Sequence, residues 1–145
     1  RLGPEVILYD EGGHWKGIGT AWHLAEAGHR VTLVTPDAMV ARDLARTAAD
    51  GPARAALARR GVTFLTESAI AEWLGNGAGA RIRSLLTGEE QTIPASALVM
   101  ATTNRAFDPL SEDLADLAPV LLGDAAAPRL APFAFHDGRK IARSL

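Results

Sequence analysis

What most constrains the fold is a pair of short apolar runs, Val6-Ile7-Leu8-Tyr9 and Val31-Thr32-Leu33-Val34, separated by a glycine-bearing turn and a helical stretch. The first run is bounded by Gly3-Pro4 and Glu11-Gly12-Gly13, a pattern that suits a parallel strand buried on both faces. Between the runs, residues 17–27 set Ile18, Ala21, Trp22, Leu24 and Ala25 at helical spacing, and Gly28 follows as a stop signal. Strand, helix and strand within about thirty residues make a βαβ unit, whose crossover is right-handed in nearly every case. An α/β domain with a parallel sheet and flanking helices is the architecture this predicts.

The rest of the chain extends that plan. Residues 38–60 have a helical composition broken at Gly51-Pro52, with Ala55, Ala56 and Leu57 on one side and Arg54, Arg59 and Arg60 toward solvent. Val62-Thr63-Phe64-Leu65 reads as a third strand. Short strands at 70–74, 81–86 and 91–93, the first two joined by Gly75-Asn76-Gly77-Ala78-Gly79, predict a small antiparallel meander over about 69–94. Ala97-Leu98-Val99-Met100-Ala101 is apolar throughout and returns to the parallel sheet. A short helix over 110–117, a last strand at 120–122 and a closing helix over 134–145 complete the expected order.

Composition narrows the chemistry. With 145 residues the chain is long enough for one domain with a real core and too short for two independent ones. It has no cysteine, which excludes disulfides, thiolate zinc sites, a cysteine nucleophile and iron–sulfur ligation within this chain. A net charge of −2 gives no electrostatic reason to expect nucleic acid or an anionic membrane as partner. No apolar run approaches the ~20 residues that cross a bilayer, and no signal-peptide pattern opens the chain, so a cytoplasmic location is expected. The chain begins at Arg1 rather than Met, and the expectation is a piece of something longer. His14, His23, His29 and His136 are dispersed without metal-ligand spacing, and Ser84, Ser96, Ser111 and Ser144 lack a nucleophile-elbow context. Glu89-Glu90 and Glu112-Asp113 are adjacent pairs best read as solvated. Neither a catalytic nor a metal-binding residue is expected here.

The turn after the first run carries the one nucleotide-binding signal in this half of the chain. A dinucleotide turn uses glycines for a tight turn, for close approach of the pyrophosphate and for helix–strand packing. Counted back from the helix, the G-x-G-x-x-G frame falls on Gly12-Gly13-His14-Trp15-Lys16-Gly17, so Gly12 and Gly17 fit and His14 stands at the second glycine's place. The second strand ends in Thr35-Pro36 where an acidic residue would hold ribose hydroxyls, although Arg42 lies a few residues on. Two readings stay open: the glycines serve only the turn and the packing, or the loop binds a dinucleotide by shifting around His14. Trp15 and Trp22 read as packing residues, and Lys16 as a solvated side chain at a helix start or a phosphate contact.

Near the other end, Gly123 permits a sharp turn after an apolar run, and Asp124 presents a carboxylate at the strand's carboxyl end. Asp124 either accepts from ribose or ribityl hydroxyls or caps local amides. Arg129 either meets a phosphate or forms a surface ion pair.

These residues bring a resemblance into view. Val6-Ile7-Leu8-Tyr9-Asp10, the stretch from Leu24 through Pro36, Leu98-Val99-Met100-Ala101-Thr102, and Gly123-Asp124-Ala125-Ala126-Ala127-Pro128-Arg129 followed by His136-Asp137-Gly138-Arg139-Lys140-Ile141-Ala142-Arg143 are together similar to the carboxyl-terminal part of a family of multidomain flavin oxidoreductases. That family includes trimethylamine, dimethylamine and histamine dehydrogenases, 2,4-dienoyl-CoA reductase and N-methylproline demethylase-like proteins. The resemblance implies a Rossmann-like, glutathione-reductase-type fold: residues 1–118 as an NAD(P)-binding-like domain, and 119–145 as a strand and helix returning to an FAD- or ADP-binding domain. It implies an upstream barrel carrying FMN and a 4Fe-4S cluster, with that barrel and the FAD/ADP-binding domain as partners in the same polypeptide. Gly12, Gly13, Gly17 and Thr35 would then border an NAD(P)H site, and Gly123, Asp124 and Arg129 part of an FAD or ADP site. The Gly-Gly-His-Trp-Lys-Gly loop is closer to the amine dehydrogenases, which pass electrons to a separate electron-transfer protein, than to the reductases that keep a glycine-rich turn for NADPH. Ala101-Thr102-Thr103-Asn104-Arg105 is similar to the family's Ala-Thr-Gly-Arg segment, with Thr103 in place of glycine. Alternatives are a competent NAD(P)H-binding domain and a non-enzymatic nucleotide-sensing or assembly module. Apolar residues of a partly missing domain (Val120, Leu121, Leu122, Phe133, Phe135 and Ile141) predict self-association of the chain.

Overall fold

Alternation along one buried strand decides what each face of a sheet meets. The computed structural model describes residues 2–75 and 77–144, so Asn76 of the expected hairpin turn and Leu145 of the expected closing helix lie outside the described residues. In β1 (Glu5–Asp10), Val6 and Leu8 join an apolar cluster with Ile18, Leu24 and Leu57, while Ile7 and Tyr9 join a second with Ala80 and Ile82. The first cluster lies under α1 (Trp15–Glu26) and α2 (Asp50–Arg59). The second lies under the meander, β4 (Ser68–Gly75), β5 (Gly79–Ser84) and β6 (Glu90–Ile93). A strand covered on both faces must be apolar throughout, and that is why the first run shows no alternation.

The parallel sheet has the order β3-β2-β1-β7, with β2 at Arg30–Val34, β3 at Thr63–Leu65 and β7 at Ala97–Ala101. Val6 stands opposite Val31 on one side and Ala97 on the other. The chain builds outward from β1 through β2 and β3, then crosses back to add β7 on β1's other edge. The expected α/β class, with parallel sheet, flanking helices and antiparallel meander, is the class observed. The three meander strands pair in the order β4-β5-β6, with Ile82 opposite Ile70 and Gln91.

Between β2 and α2 the sequence expectation needs correction. The break comes at Ala48, whose φ of 56° ends a 3-10 turn over Arg42–Thr47, and not at Gly51-Pro52. Gly51 and Pro52 lie in the first turn of α2, where proline's missing N–H removes no helical bond. Ala53, rather than Ala55, joins Ala56 and Leu57 on the packed side.

The chain divides into two compact units, the second starting at Thr103. In the second unit the helix expected over 110–117 is replaced by turns ending in a 3-10 turn at Ala115–Leu117. So short a helix is marginal without a packed face, and Leu110 and Leu117 are exposed. Val120-Leu121-Leu122 forms no strand, because no strand pairs with it among the described residues. A second 3-10 turn, Gly123–Ala125, leads to α3 at Ala131–Ala142, which starts three residues earlier than expected, with Pro132 in its first turn.

Candidate functional site

The glycine-bearing turn lies at the carboxyl end of β1, beside the end of β2, where open α/β sheets receive ligands. Gly13 has a φ of 58°, the left-handed conformation that glycine adopts without strain. What organises the turn is Asp10, the last residue of β1, which is 1% exposed. Its Oδ1 accepts the N–H of Gly12 at 3.2 Å and of Gly13 at 3.3 Å. A Cβ on Gly17 would stand 2.5 Å from each carboxylate oxygen, so the glycine there makes room for a carboxylate. Asp10 Oδ2 has no hydrogen-bond partner among the described residues. Burial pushes the Asp10 carboxyl above its ordinary value and the Asp37 charge adds to this, while the Gly12 and Gly13 N–H groups and Lys16 oppose it.

The segment after β2 folds onto the same turn. Asp43 N–H donates to Gly13 O at 3.1 Å, and a Cβ on Gly13 would meet the Arg42 backbone nitrogen at 2.9 Å. The Arg42 guanidinium pairs with Asp37 Oδ1 at 2.7 Å, and His14 Nε2 lies 3.9 Å from Asp43 Oδ2. Thr35 is buried, and its hydroxyl accepts the Asp37 N–H at 3.3 Å. Lys16 Nζ donates to Thr102 O at 2.7 Å. Trp15, expected to pack, is 51% exposed. Sequence reasoning singled out Gly12, Gly13, Gly17 and Thr35, and the structure gathers the three glycines around a residue it passed over. The available signal was an acidic residue closing the apolar run Val6-Ile7-Leu8-Tyr9, seven positions before a helical glycine.

In the second unit, Gly123 is buried with a φ of 60°. Asp124 is exposed, and its Oδ1 accepts the Arg129 N–H at 3.4 Å, a long local bond. The Arg129 guanidinium lies 2.5 Å from Asp137 Oδ2 and 5.0 Å from the centre of the Phe133 ring. Asp124 borders a cavity of about 540 Å³ together with Asn104, Arg105 and Phe107. The residues around it include an acidic, a basic and an aromatic one, types that suit hydroxyl, phosphate and planar-ring chemistry. Arg129 does not line it.

No protein-family model matches the sequence, and no curated protein matches it. Solved structures do. Histamine dehydrogenase from Rhizobium sp. 4-9 is 26% identical with a TM-score of 0.87, over 99% of this chain and 23% of that one. 2-Naphthoyl-CoA reductase, in complex with 2-naphthoyl-CoA, is 29% identical with a TM-score of 0.74, over 97% of this chain and 21% of that one. The flavoprotein disulfide reductase RclA from Escherichia coli, at 14% identity and a TM-score of 0.65, covers 96% of this chain and shares the fold alone. The chain thus spans less than a quarter of the length of the first two. Among the described residues no helix is long and apolar enough to cross a membrane, and no cluster of three His, Cys, Asp or Glu is placed to hold a metal.

Proposed function

We propose, from the premise that this chain has the structure of a region of the trimethylamine dehydrogenase and dienoyl-CoA reductase-like oxidoreductases, that it works as the nucleotide-binding-fold part of a larger flavin enzyme. The observation that carries this reading is the match of 99% of the chain to 23% of an amine dehydrogenase. In the reading, residues 1–118 are a degenerate NAD(P)H-type domain and 119–145 belong to an FAD- or ADP-binding domain. FMN, a 4Fe-4S cluster and the substrate sit elsewhere in the enzyme. This fragment has no catalytic residue of its own. Its partners are the upstream barrel and FAD/ADP-binding domain of the same polypeptide and an electron-transfer protein, and the whole is cytoplasmic.

The internal Asp10 carboxylate supports degeneracy. The residues of the turn do not fit a pyrophosphate, because Oδ1 already takes the N–H of Gly12 and Gly13. In the second unit Asp124 fits a nucleotide hydroxyl and Arg105 a phosphate, around the cavity they share. Arg129 is tied to Asp137 and fits less well.

A competent NAD(P)H-binding domain is the second reading, favoured by 29% identity to a CoA-ester reductase and by Gly12 and Gly17 in frame. Calorimetric titration with NADH, NADPH and ADP separates the two. The proposal expects no saturable NADH or NADPH binding by the folded chain and weak ADP binding. Micromolar binding of NADH or NADPH would replace it with the second reading.

A further inference from the structure

We infer that Asp10 is the specificity-determining residue of the glycine-bearing turn, a built-in anion that takes the turn's amide donors and keeps phosphate-bearing nucleotides out. The inference rests on the reading of this turn as one that takes up no dinucleotide, and it assigns the cause to one side chain.

Three features of the geometry carry it. An anion at a helix start is held by backbone N–H groups, and here the N–H groups of Gly12 and Gly13 both point to Asp10 Oδ1. The hollow left by the missing side chain of Gly17 holds the same carboxylate, with both oxygens 2.5 Å from where a Cβ would stand. Oδ2 is buried without a hydrogen-bond partner among the described residues, so the two amides and Lys16 offset the charge only in part and it repels a second anion brought to the same turn. The Asp37 charge also acts on Asp10, with one oxygen paired to Arg42 and its Oδ2 buried without a hydrogen-bond partner among the described residues. His14, by contrast, reaches sideways to within 3.9 Å of Asp43, with its side chain 38% exposed.

Removing the carboxylate therefore frees two amides and one buried charge. The test is titration of wild type, Asp10→Ala, Asp10→Asn and His14→Gly with NADH, NADPH and inorganic pyrophosphate, each protein first shown to be folded by circular dichroism. Asp10→Ala is expected to bind pyrophosphate and NADH at least roughly tenfold more tightly than wild type, the worth of one charge-assisted hydrogen bond. Asp10→Asn keeps the shape and one acceptor oxygen, and its gain is expected to be smaller. His14→Gly is expected to change little. Should Asp10→Ala not fold, a gain in Asp10→Asn supports the inference and no gain overturns it. Folded Asp10 variants that bind no better than wild type overturn it and leave the degenerate-domain reading standing. A gain confined to His14→Gly overturns it in favour of steric block. Tight NADH binding by wild type removes that reading and this inference together.

Discussion

At Asp10 burial and hydrogen bonding work against each other. Two N–H donors and Lys16 favour the carboxylate, yet burial, with the Asp37 charge beside it, outweighs them and pushes the carboxyl above its ordinary value. An acid whose folded value is raised contributes its full stability below its ordinary value of 3.8 and loses it as pH rises through the folded value. At neutral pH the charged side chain is therefore a cost. Asp10→Asn, which keeps an acceptor for Gly12 and Gly13, is expected to raise the unfolding temperature near neutrality by a few degrees, on the order of 1 kcal/mol. The gap from wild type should narrow as pH falls toward 3.8. Melting curves across that range check both signs, and a variant less stable than wild type at neutral pH would contradict the account. Gly12, Gly13 and Gly17 were legible in the sequence as a turn because glycine spacing is a backbone signal. Asp10 was not, because one polar residue at the end of an apolar run looks like a strand terminus until its neighbours are placed around it.

Strands and hairpins were legible where local pattern and tertiary packing agree. The runs at Val6 and Val31 are apolar because both faces are covered, and the meander showed in the glycines that let its strands turn. Gly79 illustrates the second kind. It has a φ of 83°, and a Cβ there would run into the Ile93 carbonyl and stand 2.6 Å from the Ala95 nitrogen. Both obstacles are backbone, so neither can swing away. Gly79→Ala is expected to cost on the order of 3 kcal/mol, from left-handed strain plus overpacking. Urea denaturation measures the loss, and hydrogen exchange should place it in β4–β6. A loss under about 0.5 kcal/mol, the range of a neutral surface change, would mean the hairpin relaxes around the methyl. Tertiary placement also made a surface contact that periodicity hides: Arg60 at the end of α2 stacks 3.9 Å over Trp22 of α1, and Glu26 accepts from both. The elements that failed, the helix over 110–117 and the strand at 120–122, are those with no partner surface among the described residues. Propensity alone did not hold them.

Across the whole chain, apolar burial is distributed very unevenly. Among the described residues every buried hydrophobic side chain lies between Val6 and Ala101, in the first unit, and α3 has no buried residue. In the second unit Phe107, Leu117 and Phe135 are 80%, 76% and 77% exposed. Hydrophobic burial supplies most of the drive to fold, so the first unit holds nearly all of the chain's stability and the second holds little of its own. The sequence carried this asymmetry only faintly, since the same valines, leucines and phenylalanines serve in a core strand and on an apolar surface that awaits a partner. A chain ending at Thr102 is therefore expected to unfold cooperatively within a few degrees of the full chain, and to stay monomeric where the full chain self-associates with rising concentration. Calorimetry and sedimentation equilibrium on both proteins read the two consequences separately. A truncated chain that melts far lower would show that residues 103–145 stabilise the first unit. A full chain that is monomeric at all concentrations would show that its exposed aromatic and leucine side chains need no cover, which would count against the reading of the second unit as part of a larger domain.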